Sequence, residues 1–155
     1  MINVALFGFG RIGQMHAENL TKNKEIKLLY VYDKIDQLSS KAKKLYGCKI
    51  EKNYNKIFND KKVDIVFISS PTNTHIKFIE EGIKRKKTIF CEKPLDLNIN
   101  KIIKTLKKVK KTKPKIQLGF NRRYDPGHFS LKKDLDKNKI GKLEKILITS
   151  RDPAP

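Results

Sequence analysis

Three glycines near the amino terminus have a spacing that suits the binding of phosphate groups. Gly8, Gly10 and Gly13 form the pattern G-x-G-x-x-G directly after a strand-like apolar run over residues 4–7. The first glycine permits a tight turn, the second lets a pyrophosphate approach the backbone, and the third lets the next segment pack closely. A helix beginning at Arg11 would add free N–H groups and a positive dipole end. The pattern indicates a dinucleotide site, and the alternative is a glycine-rich turn without a ligand.

An acidic residue further along supports the dinucleotide interpretation. Asp33 ends the next apolar run, 20 positions after Gly13, where a carboxylate is expected to bind the adenosine ribose. Such a carboxylate accepts a hydrogen bond from the 2′-hydroxyl of NAD and repels the 2′-phosphate of NADP. We therefore expect NAD in preference to NADP, although the adjacent Lys34 is a cation that favours phosphate.

Apolar runs and helical periodicities alternate along the chain and predict the elements that position these residues. We expect strands over residues 26–33, 63–69, 88–91 and 115–120, a shorter one over 49–51, and a half-exposed one over 142–150. Helices are expected over residues 11–22, 36–46, 98–111 and 128–137, with a single turn over 54–59 and a helix that carries Ile76 and ends near Lys86. This alternation predicts an α/β fold of the Rossmann type, a doubly wound parallel sheet.

The helical periodicities also predict which side chains face the sheet. On the first helix the inward face is expected to carry Ile12, His16 and Leu20, which makes His16 a packing residue. On the helix over residues 98–111 the inward residues are expected to be Ile99, Ile102, Ile103, Leu106 and Val109. Ligands of such sheets bind where the strands end, and the loops there span residues 8–13, 69–75, 92–94 and 121–124, together with Asp33.

The composition is strongly basic but lacks the features of a nucleic-acid reader. The chain has 155 residues and a formal charge of +20, yet only five of its 36 basic residues are arginine. The lysines are spread over the whole sequence, whereas nucleic-acid readers use arginine forks and interleaved aromatic residues. We therefore expect no specific nucleic-acid partner, and a basic interaction protein remains the least favoured function.

The two cysteines and the apolar runs indicate the expected compartment. Cys48 and Cys91 have neither metal-binding nor redox spacing, so we expect reduced thiols, no metal and a cytoplasmic location. The apolar run of the first strand begins close to residue 1, so we expect no signal peptide. No apolar run approaches the length of a membrane span, so no membrane partner is expected.

Five motifs in sequence give the chain a family resemblance. With GFGRIG, Asp33, SSPTNTH, FCEKPL and GFNRRYDPG in this order, it resembles the Gfo/Idh/MocA oxidoreductases, and within them the inositol dehydrogenases. The resemblance covers essentially the whole chain, and the Glu-Lys-Pro motif with its downstream GF-x-RR is the most specific part. It implies a cofactor site formed by Gly8, Phe9, Gly10, Arg11, Ile12, Gly13, Asp33, Ser70, Pro71, Thr72, His75, Glu92, Lys93 and Arg122.

Within that set the resemblance implies particular roles. The residues from Gly8 to Gly13 would hold the pyrophosphate, Ser70 to Thr72 and His75 would lie along the cofactor, and Glu92 would reach the nicotinamide ribose. Lys93 would be the catalytic lysine, followed by a peptide bond that is often cis. An ammonium near a carbinol oxygen also has an independent rationale, since it stabilises charge as hydride leaves. His75 is expected to pack at the start of a helix rather than to act as a base.

The resemblance also implies that part of the enzyme lies elsewhere. Residues 1–120 correspond to the NAD-binding domain and residues 121–155 to the start of a truncated α+β substrate domain, so the chain ends before the family's catalytic Asp and His. One interpretation is an incomplete NAD-dependent dehydrogenase of a polyol or sugar. The alternative is a non-catalytic nucleotide-binding module or half of a split enzyme. The implied partners are a small polyol or sugar and either a separate substrate-domain chain or a homo-oligomer.

Overall fold

The computed structural model describes residues 1–149 and residue 151, which fall into two units. The first unit, Met1–Gly119, contains a parallel sheet and the helices that cover it. The second unit begins at Phe120 and contains a 3₁₀ turn, Asn121–Tyr124, followed by one α-helix.

The sheet has six strands, all parallel, which confirms the expected doubly wound arrangement. The strands are β1 Ile2–Phe7, β2 Ile26–Tyr32, β3 Lys49–Ile50, β4 Ile65–Ile68, β5 Thr88–Cys91 and β6 Ile116–Leu118, in the order β3-β2-β1-β4-β5-β6. The chain builds outward from β1 in one direction and then continues from β4 in the other. The boundary between β1 and β4 is therefore the switch point, outside which such sheets bind ligands.

Helices connect the strands close to the predicted positions. They are α1 Arg11–Lys22, α2 Asp36–Tyr46, α3 Tyr54–Asn59, α4 His75–Lys84 and α5 Ile99–Thr112 in the first unit, and α6 Pro126–Asp136 in the second. Gly47 ends α2 in the left-handed conformation, with a φ of 64°. The last helix begins two residues before its predicted start, because the Asp125 side chain caps it by accepting a hydrogen bond from the His128 N–H.

Alternate residues of β1 lie in two different hydrophobic clusters. Phe7 packs against Phe58 and Phe78, with ring centroids 5.0 and 4.8 Å apart. Its neighbours Leu6 and Val4 belong to a second cluster that also includes Ala17 of α1. When helices cover both faces of a parallel strand, the side chains on both faces are buried, so apolar residues do not alternate with polar ones. This double burial is the reason for the continuous apolar run of β1.

The predicted inward faces of two helices need correction. On α1 the fully buried residues are Gly13 and Ala17, whereas Ile12 is 37% exposed. On α5 the buried residue is Thr105, and three of the five residues expected to face inward are exposed: Ile99, Ile103 and Leu106. Periodicity shows which side chains share a face of a helix. How much of that face is covered depends on what packs against it.

The prediction of a half-exposed strand over residues 142–150 is wrong for the residues that the structure describes. Residues 142–149 form no strand, and Ser150 lies outside the described residues. Leu143, Ile146 and Ile148 are all exposed. Alternation of apolar and polar residues meets only one requirement of a strand, since a strand also needs a hydrogen-bonded neighbour. Within residues 1–149 no segment pairs with this one.

Thr105 provides a test of the packing under α5. Its side chain is 2% exposed, and its Oγ1 atom has no hydrogen-bond partner among the described residues. Valine has nearly the same shape without the unpaired hydroxyl, so Thr105→Val is expected to raise the free energy of unfolding by about 1 kcal/mol. Urea denaturation of the 155-residue chain measures this. The control is Thr112→Val, where the exposed hydroxyl donates to the Lys108 carbonyl. A loss of stability in Thr105→Val would show that the buried hydroxyl is hydrogen-bonded.

Candidate cofactor and active site

The turn between β1 and α1 depends on two glycines for its packing and leaves the third open. Gly8 has a φ of +92°, and a Cβ on it would lie 2.5 Å from the Ser70 Cα. A Cβ on Gly13 would overlap the Gly8 carbonyl oxygen. At Gly10 nothing lies within 4 Å of the corresponding position. Gly8 and Gly13 therefore allow backbone segments to touch, while Gly10 leaves free space in front of the helix.

The amino terminus of α1 provides unpaired donors at this free space. The first intrahelical hydrogen bond runs from the Gln14 N–H to the Gly10 carbonyl, over 2.9 Å. The N–H groups of Arg11, Ile12 and Gly13 precede that bond and have no carbonyl within the helix to accept from them. The Arg11 side chain is exposed beside them. These donors and the helix dipole form the kind of cradle that binds a pyrophosphate.

Asp33 is held in place by two backbone groups. Its Oδ2 atom accepts a hydrogen bond from the Phe9 N–H at 2.7 Å, and its Oδ1 atom accepts one from the Ile35 N–H at 2.9 Å. Phe9 itself is fully buried, with its ring 6.3 Å from the Tyr46 ring. The carboxylate thus joins the end of β2 to the glycine turn. Each oxygen retains a lone pair for a further donor such as a ribose hydroxyl.

A cleft of about 350 Å³ lies between the segment after β2 and the loop after β4. It is lined by Gly8, Tyr32, Asp33, Lys34, Ile35, Ser70, Pro71, Asn73, Thr74 and Phe78. Mixed apolar and polar walls with a fixed carboxylate suit the adenosine part of a dinucleotide. Of the lining residues, Asn73 and Thr74 lie in the loop over residues 69–75 that the sequence places at the ligand edge, whereas the sequence does not indicate Tyr32, Ile35 and Phe78. Their residue types carry no cofactor signal, and only the fold brings them to this cleft.

The loop after β4 is braced by hydrogen bonds of its own side chains. The Ser70 and Thr74 hydroxyl oxygens lie 2.6 Å apart, and the Thr74 hydroxyl donates to the Pro71 carbonyl over 2.7 Å. Ser69 donates its hydroxyl to the Gly8 carbonyl over 3.0 Å. Thr72 begins a short 3₁₀ turn, Thr72–Thr74, that leads into α4. The loop is thereby attached to the glycine turn across the switch point.

His75 connects this loop to the segment after β5. The side chain is buried, and its Nε2 and Nδ1 atoms lie 2.7 Å from the Ser70 and Pro94 carbonyl oxygens, respectively. Both partners only accept hydrogen bonds, so both contacts are hydrogen bonds when each ring nitrogen carries a proton. Each ring nitrogen is directed at a backbone carbonyl oxygen. His75 lies at the start of α4, where the sequence predicts it, and its place along the cofactor remains a prediction.

The segment after β5 presents a lysine at the same edge of the sheet. Lys93 is exposed, and its peptide bond to Pro94 is cis. Its ammonium group makes no hydrogen bond or ion pair within the described residues. The preceding residue, Glu92, accepts a hydrogen bond from the Lys93 N–H over 3.2 Å, and its Oε1 atom lies 2.7 Å from His16 Nε2. His16 therefore packs against the sheet, as predicted, and also contacts a candidate cofactor residue.

Arg122 lies in the second unit, in the exposed 3₁₀ turn Asn121–Tyr124. The residues that converge at the edge of the sheet all belong to the first unit. The role of Arg122 beside the cofactor remains a prediction.

Neither cysteine has the environment of a reactive thiol. Both are free and buried, and burial raises the pKa of Cys91 to about 12 and that of Cys48 above its usual value. Among the described residues no group of His, Cys, Asp and Glu side chains is arranged to hold a metal ion. None of the helices in the described part of the chain has both the length and the apolar character needed to cross a bilayer.

The parallel switch-point sheet, the glycine turn and the fixed carboxylate define a dinucleotide-binding domain. Residues 2–120 match the model of the "Oxidoreductase family, NAD-binding Rossmann fold". The chain belongs to this family, the Gfo/Idh/MocA oxidoreductases.

Relatives within the family include inositol dehydrogenases. The chain is 38% identical over 153 residues to inositol 2-dehydrogenase of Rhizobium meliloti, covering 99% of this chain and 46% of the relative. It is 38% identical over 156 residues to myo-inositol 2-dehydrogenase of Thermotoga maritima, with the same coverage. Scyllo-inositol dehydrogenase of Lactobacillus casei, solved with bound NAD(H) and scyllo-inositol, superposes with a TM-score of 0.86 at 33% identity, covering 91% of this chain and 42% of that one. The chain thus spans less than half the length of these relatives.

The different surroundings of Gly10 and Gly13 predict different effects of substitution. Gly10→Val places a side chain in open space, so the fold is expected to persist while affinity for NADH falls about tenfold, equivalent to about 1.4 kcal/mol. Gly13→Ala forces the helix away from the Gly8 carbonyl and is expected to lower the free energy of unfolding by about 3 kcal/mol. Circular dichroism in urea and NADH fluorescence titration measure the two effects. Unchanged NADH affinity in Gly10→Val would mean that the glycine motif forms only a turn.

Proposed function

We propose that this chain is the NAD-binding part of a dehydrogenase that oxidises a carbinol of a cyclic polyol, with inositols as the first substrates to test. The observation that carries the proposal is the convergence of the glycine turn, Asp33 and the exposed Lys93 at one edge of the sheet. The names of the relatives support the substrate class. The alternative is a nucleotide-binding module without chemistry or half of a split enzyme, and the chain's share of its relatives' length keeps this alternative open.

The residues of the first unit fit a dinucleotide in one orientation. The N–H groups of Arg11 to Gly13 would bind the pyrophosphate, and Asp33 would accept a hydrogen bond from the adenosine ribose. Ser70, Pro71 and Thr72 would then line the path towards β5, where Glu92 would face the second ribose. The fit rests on the free space at Gly10 and on the orientation of the Asp33 carboxylate.

Lys93 would act on the substrate rather than on the nucleotide. When bound, the nicotinamide ring supplies a hydride acceptor. The Lys93 ammonium would donate a hydrogen bond to the carbinol oxygen and stabilise negative charge there as the carbon–hydrogen bond breaks. The hydroxyl proton needs a base. Both ring nitrogens of His75 contact backbone carbonyl oxygens, and His16 Nε2 contacts Glu92, so neither histidine is a candidate for this base. We infer that the base lies in the substrate domain, of which residues 121–155 would form the start.

The remaining expectations belong to the same proposal. The partners would be a polyol or sugar and either a separate substrate-domain chain or a second copy of this chain. A cytoplasmic location is consistent with two free cysteines. The dispersed lysines still argue against a specific nucleic-acid partner.

The fixed carboxylate of Asp33 predicts a preference for NAD over NADP. A 2′-phosphate at the ribose position would meet that charge, so we expect at least about tenfold weaker binding of NADP. Asp33→Asn retains an acceptor for one N–H but removes the charge, and it is expected to shift the ratio of the two affinities towards NADP by about tenfold. Calorimetric titration at moderate salt measures the ratio of the NAD and NADP affinities. A general loss of stability would weaken both affinities alike and would leave this ratio unchanged. Equal binding of NAD and NADP by the unaltered chain would contradict the assignment of Asp33.

Turnover separates the dehydrogenase from the non-catalytic module. The 155-residue chain alone is expected to bind NAD but to produce little NADH from myo-inositol or other polyols. Addition of a separately expressed substrate domain is expected to restore turnover. In that mixture Lys93→Met is expected to lower kcat about 100-fold or more, with NADH affinity changed less than about twofold. Exposed Lys101 provides the control, since Lys101→Met should leave both quantities unchanged. Efficient turnover by the chain alone would show that a base lies within these residues.

A further inference from the structure

A histidine and a glutamate from distant parts of the chain form a half-buried pair between α1 and the end of β5. His16 Nε2 lies 2.7 Å from Glu92 Oε1, and the side chains are only 16% and 18% exposed. Most ion pairs of the described residues instead involve lysines that are largely exposed. Partial burial makes this hydrogen bond stronger than a surface pair.

Aromatic rings hold the imidazole in a defined orientation. The His16 ring centroid lies 4.6 Å from that of Phe67 on β4 and 5.7 Å from that of Phe90 on β5. The two phenylalanine rings stack on each other at 4.0 Å. The sheet thus provides a surface against which the ring packs, and its Nε2 atom is left directed at Glu92.

The carboxylate of Glu92 is also restricted on its other sides. Its Oε2 atom accepts a hydrogen bond from the Lys93 N–H over 3.2 Å. A Cβ on Gly119 would lie 3.0 Å from Oε1, so the absence of a side chain there leaves room for the carboxylate. One oxygen is therefore tied to α1 and the other to the backbone of the residue proposed to act on substrate.

We propose that His16 is a positioning residue that sets the distance between the pyrophosphate cradle and the nicotinamide end of the site. The helix that begins at the cradle carries His16 in its second turn. Through Glu92, His16 holds the backbone before Lys93 relative to that helix. This inference rests on the proposed function, in which Glu92 faces the second ribose. It assigns a role to a histidine that touches neither cofactor nor substrate.

Two substitutions separate positioning from simple packing. His16→Phe keeps a ring against Phe67 and Phe90 but removes the hydrogen bond between the His16 ring and Glu92. His16→Gln loses the ring but places an amide N–H near the Nε2 position. NADH and ADP serve as ligands, because ADP contains the adenosine and the pyrophosphate but neither the second ribose nor the nicotinamide.

We expect His16→Phe to weaken the binding of only the nicotinamide half of NADH. His16→Phe should weaken NADH about tenfold and ADP by less than about twofold. His16→Gln should restore NADH affinity to within about threefold of the unaltered chain. In a Glu92→Ala background, His16→Phe should cause no further loss, because the two residues act as one unit. The control is Lys22→Met on the same helix, which removes an exposed ion pair with Glu18 and should alter neither affinity.

The outcomes that overturn the inference differ from those that overturn the proposed function. Equal losses for NADH and ADP in His16→Phe, or no loss for either, would reduce His16 to a packing residue. If His16→Phe weakened NADH binding as much in the Glu92→Ala background as in the unaltered chain, His16 would likewise be only a packing residue. This comparison of the double variant with the two single variants remains valid if one single variant is less stable. Failure of the unaltered chain to bind both NADH and ADP would instead refute the proposed function, and the inference with it.

Discussion

The contact between backbone segments at Gly8 and Gly13 is the constraint on which the rest of the site depends. A side chain on either residue would collide with backbone atoms, of Ser70 in one case and of Gly8 in the other. Because both positions lack one, α1 begins directly above the end of β1, and the loop after β4 lies against the same turn. The helix amino terminus, the Asp33 carboxylate and the Ser70 loop consequently meet at the switch point of the sheet.

Hydrogen bonds from side chains to backbone then hold the converging loops in place. Asp33 joins the end of β2 to the glycine turn, and His75 joins the loop after β4 to Pro94. His16 and Glu92 extend the series to α1 and β5. The contacts of Asp33, His75 and His16 pair partly buried polar groups that would otherwise be costly to bury. Loops that the protein's own hydrogen bonds hold in place lose less conformational freedom on binding a ligand.

The lysines that dominate the composition take little part in this organisation. Thirty of the 31 are exposed, and their ion pairs with carboxylates contribute little to stability. Lys87 is an exception, since its ammonium donates to the Asp60 and Val63 carbonyls and burial lowers its pKa. A formal charge of +20 therefore describes the surface of the molecule, whereas glycines, two carboxylates and two histidines hold the loops of the site together.

Local features of the sequence determined the order and type of the elements and the glycine cradle. The glycine spacing is a consequence of backbone sterics, and the apolar runs are a consequence of burial. Both signals are carried by residues that lie close together in the sequence. The tertiary structure alone decided which helix faces are covered, since Ile12 and Ile99 belong to the predicted inward faces but are exposed. It alone also decided that residues 142–149 form no strand, because pairing needs a neighbour that the alternation of residues does not supply. The pairing of His16 with Glu92 belongs to the same category: 76 residues separate them, and only the packing of α1 against β4 and β5 makes them neighbours.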